Sequence, residues 1–241
     1  MSSPHRVHPF AAGLGLAVVL AVFFTSFPAS EILSGRMTEQ LTLLLTPQTP
    51  NLQVMDGTPL PAARIGIVAG HMGNDSGAVC ATGVTEAEVN LKIATLVQQK
   101  LSALGYETDL LEEFDPRLKG YRAAALVSIH NDSCDYINDQ ATGFKVAAAM
   151  SASDMNLANR LAACLRDRYA RTTNLPWHNS VTKDMSLYHA FDEISPYTTA
   201  GIIETGFLNL DYTLLTQQPD LAAAGVVNGI LCFINNESIQ P

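Results

Sequence analysis

Apolar positions follow two different rules along this chain. From Phe10 to Phe27 (FAAGLGLAVVLAVFFTSF) no side chain is charged, and the one fully positive side chain ahead of the run is Arg6. A run of that length reaches across the hydrocarbon core of a bilayer. Residues 1–30 therefore read as a signal anchor or a signal peptide. The stretch Pro28, Ala29, Ser30 is a poor small-x-small cleavage site, which favours the anchor. A single N-terminal span with its positive charge in front leaves that end inside and exports the rest. Residues 31–62 carry Pro47, Pro50, Pro59 and Pro61 around one apolar patch, Leu41 to Thr46 (LTLLLT). They read as a linker or stalk with at most one short helix.

Beyond residue 62 short apolar runs alternate with helical periods. Arg64 to Ala69 (RIGIVA) reads as a buried strand. Glu86 to Leu104 has Val89, Ile93, Leu96, Val97, Leu101 and Leu104 at helical spacing and is closed by Gly105. Tyr106–Leu111, Ala123–Ile129 and Gly143–Met150 read as three further strands. A helix follows from Asp154 to Arg171, with Met155, Ala158, Leu161, Ala162, Leu165 and Tyr169 on one face. Met185–Phe191 (MSLYHAF) alternates like a strand, Ala200–Glu204 is a short strand, and Pro219–Asn235 is a helix apolar nearly all round. Strands alternating with helices predict an α/β fold: a mostly parallel twisted sheet with helices on both faces, over residues 63–236. In such sheets ligands bind outside the carboxyl ends of the strands.

Composition narrows the function. With 47% hydrophobic residues the chain is not a disordered one, and a net charge of −9 excludes a general electrostatic grip on nucleic acid. The four cysteines show no CxxC spacing, which excludes zinc ribbons and thioredoxin-like redox motifs. Cys80 and Cys134 each follow a strand end, and in an exported domain they suit a disulfide. Cys164 and Cys232 lie in apolar helical stretches and read as buried free thiols. Nothing in the sequence specifies an oligomeric state.

Three strand runs end in a residue able to ligate or catalyse: RIGIVAG runs into His71, ALVSI into His130, and AGII into Glu204. A fourth comes from the turn that opens the first helix. Thr85 and Glu88 fit a capping box, which occupies Glu88 and leaves Glu86, at the first helical position, free to face the strand ends. His71, Glu86 and His130 make a His2Glu set of the kind that holds a catalytic zinc. Asp132 and Asp135 are alternatives to Glu86 as the carboxylate ligand. Glu204 is then the natural general base, and the reaction class is metal-assisted hydrolysis of an amide.

The runs VAGHMGNDSGA (Val68–Ala78), GVTEAEVNL (Gly83–Leu91), LVSIHND (Leu126–Asp132) and IIETGFLNLDYTLL (Ile202–Leu215) resemble, in order and spacing, the zinc-dependent N-acetylmuramoyl-L-alanine amidases. The resemblance spans residues 64–236. It implies that His71, Glu86 and His130 bind Zn2+ and that Glu204 is catalytic. It also implies that the substrate is peptidoglycan, cut between N-acetylmuramic acid and the first L-alanine of the stem peptide. That places the domain outside the cytoplasm, secreted to the cell wall or held to the membrane through the N-terminal segment. Two departures bear on the groove rather than on a ligand position. Met72 stands where a second small residue is usual, and the segment between Glu113 and Ala123 is shorter than the family's helical connection.

Other polar residues have plainer explanations. Asp75 and Asn74 read as loop-stabilising, and Arg122 as structural. His178 and His189 read as exposed or groove-wall residues, with His189 the better guess for a substrate contact. Two competing functions share the pattern: a peptidoglycan-binding module of the same fold without catalysis, and a zinc peptidase acting on other peptides. The first has no need of a general base beside a metal, and the second is separated by its products.

Overall fold

The computed structural model describes residues 63–239. The expected signal anchor or signal peptide and the linker lie outside the described residues. Among the described residues, no helix is long and apolar enough to cross a membrane.

The chain opens with β1 (Arg64–Ala69), which enters a long loop and then α1 (Glu86–Ala103). Next come β2 (Glu107–Leu111), a single 3-10 turn at Pro116–Leu118, and β3 (Ala125–Asp132). β4 (Lys145–Ala148) precedes the long helix α2 (Met155–Thr173). Two one-turn helices, α3 (Lys183–Ser186) and α4 (Ala190–Glu193), lead into β5 (Thr199–Phe207). The chain then closes with α5 (Tyr212–Gln217) and α6 (Pro219–Ile234).

The five strands form one sheet in the order β2-β1-β3-β5-β4. The β1–β2, β1–β3 and β3–β5 pairs are parallel, and β4 is an antiparallel edge. Side chains alternate across a strand, and the two faces of the sheet are covered unequally. Ile65, Ile67, Val127, Ile129 and Ile203 pack with Ile93 and Val97 of α1, Leu161 and Tyr169 of α2, and Val226 and Ile230 of α6. The opposite face, with Val68, Leu126, Ala200 and Ile202, is covered by Leu118 of the 3-10 turn and by Met185, Tyr188, Phe191 and Ile194. Helices do lie on both faces, but those of the second are single turns.

Three expectations need correcting. Met185–Phe191 is not a strand: the one-turn helices α3 and α4 take up its two ends and bury Met185, Ala190 and Phe191, with Tyr188 buried between them. Strands β3 and β5 run past their expected ends, so that His130 lies within the sheet rather than beyond it and Glu204 lies inside β5 rather than at its last position. Cys164 and Cys232 are not free thiols but a disulfide between α2 and α6, with Cα atoms 5.7 Å apart. Apolar surroundings identify both as buried, yet only the packing of α2 on α6 puts one against the other. Cys80 and Cys134 form the second disulfide, with Cα atoms 5.0 Å apart, joining the loop after β1 to the loop after β3.

Candidate active site

Every candidate residue lies at the carboxyl end of the parallel strands. His71 follows β1 after one glycine, and its backbone is left-handed, with φ of 65°. That conformation is uncommon for a residue with a side chain. Two carboxylates hold it. Glu113 Oε2 accepts the His71 backbone N–H at 2.6 Å, and Asp75 Oδ1 lies 2.6 Å from His71 Nδ1. Asp75 also accepts the Gly77 N–H at 2.8 Å, so it stabilises the loop and orients the imidazole at once.

Glu86 owes its place to the start of α1. Thr85 is the N-cap: its hydroxyl accepts the Glu88 N–H at 3.2 Å, and the Glu88 carboxylate accepts the Thr85 N–H at 3.0 Å. The reciprocal cap fixes the first turn and releases Glu86 to turn back over the sheet. There Glu86 Oε2 accepts the Ala78 N–H, while Oε1 lies 3.2 Å from His71 Nε2 and 3.3 Å from His130 Nδ1. Asn90, one turn along α1, donates to the same Oε1 at 3.2 Å. Gly77 sits against this carboxylate with φ of 58°, and a Cβ there would fall 2.6 Å from Oε2.

His130 occupies the second-to-last pair of β3 and is only 8% exposed. It shares the strand face of Leu126 and Ser128, which turns its ring toward Tyr188, with centroids 5.4 Å apart. Gly70 lies so close that any Cβ would strike the ring. Glu204 is the register partner of His130 on β5, and the register shifts immediately beyond this pair. Such irregularities recur beside active sites, where they re-aim side chains. Glu204 Oε2 is buried and has no hydrogen-bond partner among the described residues. The cross-strand neighbour of Glu204 is Lys145, which pairs with Asp132.

The acidic side chains of this group favour positive charge on its two imidazoles. The hydrogen bond with Glu86 pushes His71 up to about 9. Burial opposes ionisation of Glu86, but His130 and His71 outweigh it and hold the carboxyl below its usual range. Burial likewise acts against charged His130, and Glu86, Glu204 and Glu113 override it, raising its pKa. Glu204 is pushed up to about 7 by burial, against the opposing pull of His130. Acidic oxygens crowd two imidazoles here, an arrangement in which a bound cation takes the place of protons on the rings. The candidate donor atoms of His71, Glu86 and His130 all lie within 4.8 Å of one another. Two imidazole nitrogens and a carboxylate oxygen match the donor chemistry of zinc.

The structure thus brings His71, Glu86, His130 and Glu204 together. It leaves out the alternatives to Glu86: Asp132 is engaged by Lys145, and Asp135 lies in the exposed loop that follows. His178 hydrogen-bonds Ser180 at 2.7 Å, and Arg122 stacks on Tyr197. His189 lies 3.2 Å from Glu113 and is stacked on Phe114. Glu113 is not among the candidates that the sequence offers: it follows β2 closely, one residue after Glu112, but no motif marks it.

An α/β sheet carries, at its carboxyl edge, a His/Glu/His group whose donor atoms could hold a metal ion, beside a buried acid. The profile of the N-acetylmuramoyl-L-alanine amidase family matches residues 65–232, and the chain belongs to that family. None of the curated proteins compared with the chain matches it. Solved structures do. An N-acetylmuramoyl-L-alanine amidase from Clostridium difficile 630 is 23% identical, with a TM-score of 0.59 over 74% of this chain and 100% of that one. Amidase AmiC2 of Nostoc punctiforme is 22% identical, with a TM-score of 0.56 over 71% and 97%. The catalytic domain of CwlV from Bacillus (Paenibacillus) polymyxa var. colistinus is 24% identical, with a TM-score of 0.53 over 71% and 98%. Likeness at this level of identity concerns the fold.

Proposed function

We propose that residues 63–236 form a catalytic domain that hydrolyses the amide between N-acetylmuramic acid and L-alanine in peptidoglycan, with zinc held by His71, Glu86 and His130. The observation that carries this reading is the convergence of those three donors on one point, next to a buried Glu204 with an unpartnered oxygen. Zinc bound there supplies Lewis acidity, polarising the scissile carbonyl and lowering the pKa of water toward neutrality.

The chain's own groups do the rest. Glu204, at a pKa of about 7, is suited to take a proton from the attacking water and deliver it to the departing amine nitrogen of L-alanine. The products are then a free muramyl carboxylate and a stem peptide with a free amino terminus. Asp75 keeps the proton of His71 on Nδ1, leaving Nε2 as the donor. Asn90 and the Asn131 N–H donate to Glu86 Oε1 at 3.2 and 3.3 Å and steady it. A buried, unpaired base has no purpose in a module that only binds, which supports catalysis. The apolar run Phe10–Phe27 ahead of the domain supports action outside the cytoplasm, at the membrane or in the wall.

The test is metal dependence of the full-length chain on purified peptidoglycan. Activity is expected to vanish after chelation and return with about one equivalent of zinc. Activity untouched by chelation would contradict the reading.

A further inference from the structure

Glu113 has no place in the mechanism above, yet it is one of the most constrained carboxylates among the described residues. It is 6% exposed. It reaches the site from the short segment between β2 and β3, where its backbone N–H is fixed to the Met72 carbonyl at 3.0 Å. One oxygen, Oε2, accepts the backbone N–H of His71 at 2.6 Å and faces His130 Nε2 at 3.7 Å. The other, Oε1, lies 3.2 Å from His189 Nε2, and His189 Nδ1 lies 3.1 Å from Glu193. The His189 ring is clamped between Phe114, at a centroid distance of 4.1 Å, and Tyr188, at 4.5 Å.

His130 supplies the other half of the argument. Its Nδ1 faces Glu86, and its Nε2 is buried without a hydrogen-bond partner. A buried imidazole that uses one nitrogen as a donor must carry its proton on the other, and that proton needs an acceptor. Burying it unsatisfied is costly. The carboxylate facing that nitrogen is Glu113. The same oxygen also holds the left-handed peptide of His71, the residue least able to keep its conformation unaided.

We propose that Glu113 is a positioning residue for both histidines of the metal group: it accepts the His130 Nε2 proton and pins the His71 backbone, with His189 and its aromatic clamp holding Glu113 in place. His71 and His130 are then each backed by a carboxylate, Asp75 for the first and Glu113 for the second. The inference rests on the zinc reading of the site. It also explains the shortened connection before β3: one 3-10 turn at Pro116–Leu118 leaves Glu113 and Phe114 at the sheet edge.

The test is the zinc affinity of full-length wild type and Glu113→Gln, measured by competition with a chelator, with the metal-free melting temperature as the control for folding. Gln keeps an oxygen for the His71 amide but loses the charge facing His130. The expected result is zinc binding weakened by about 10- to 100-fold at a near wild-type melting temperature. Affinity within about threefold of wild type would overturn the inference while leaving the zinc reading intact; a wild type that binds no zinc would overturn both. If Glu113→Gln does not fold, the zinc-loaded wild type decides by imidazole 15N–1H spectroscopy. A deshielded, slowly exchanging His130 Nε2 proton supports the role of Glu113, and a rapidly exchanging or absent one overturns it.

Discussion

Glu204 is held in a state that favours its proton, and this has a measurable consequence for stability. In the unfolded chain the carboxyl titrates near 4.5, and in the metal-free fold burial lifts it to about 7. Between those values the folded protein binds a proton that the unfolded chain does not. Stability from this group is therefore fully present below about 4.5 and is lost as pH rises toward about 7, by up to about 3 kcal/mol. Glu204→Gln removes the group without changing its size. Metal-free melting curves should show the variant gaining on wild type as pH rises from about 5 to about 8, with little difference at the acid end. Peptidoglycan hydrolysis by the same variant should fall by about 10²- to 10⁴-fold while zinc is retained. Gly70 yields a second expectation. A methyl group there strikes the His130 ring, so Gly70→Ala should lose zinc affinity in a chelator titration and cost about 1–3 kcal/mol in thermal unfolding. At this scale the four candidate residues are legible in the sequence because three of them end apolar strand runs and Glu86 opens a capped helix. Glu113 is not, because its work is done on the backbone of His71, 42 positions away, and on a ring from another strand.

Elements were readable where their pattern is local. The strand Arg64–Ala69 and the capping box at Thr85 follow directly from alternation and spacing. The failure at Met185–Phe191 has the opposite cause. Its alternating letters mimic a strand, but no sheet edge pairs with it, and single helical turns take up its two ends instead. The two disulfides divide in the same way. Cys80–Cys134 was foreseeable because both residues follow strand ends at one edge, whereas Cys164–Cys232 depends on how α2 meets α6. Each closes a long loop, with separations of 54 and 68 residues, so removing either should lower stability by about 2–4 kcal/mol. Their effects on the site should differ. Cys80→Ser with Cys134→Ser frees the loops that carry His71 and follow His130, and should weaken zinc binding as well as lower the melting temperature. Cys164→Ala with Cys232→Ala should lower the melting temperature alone. Equal zinc affinities in the two double variants would show that the first disulfide does not serve the site.

Among the described residues, His130 and Glu204 lie on the thinly covered face of the sheet. Three long helices seal one side, while single turns and a short connection cover the other, where His130 and Glu204 turn their side chains. Sequence alternation reveals the sheet but not which face is thin, because the pattern of a helix does not say on which face of the sheet it packs. The net charge of −9 gives the chain no general long-range attraction to polyanions. The central claim is that this site cuts one particular bond. Mass spectrometry of the material released from purified peptidoglycan by the zinc-loaded, full-length chain tests it most directly. The expected products are intact stem peptides with a free L-alanine amino terminus, and glycan strands whose muramic acid carries a free lactyl carboxylate. Fragments cut within the stem peptide, or no release at all, would contradict it.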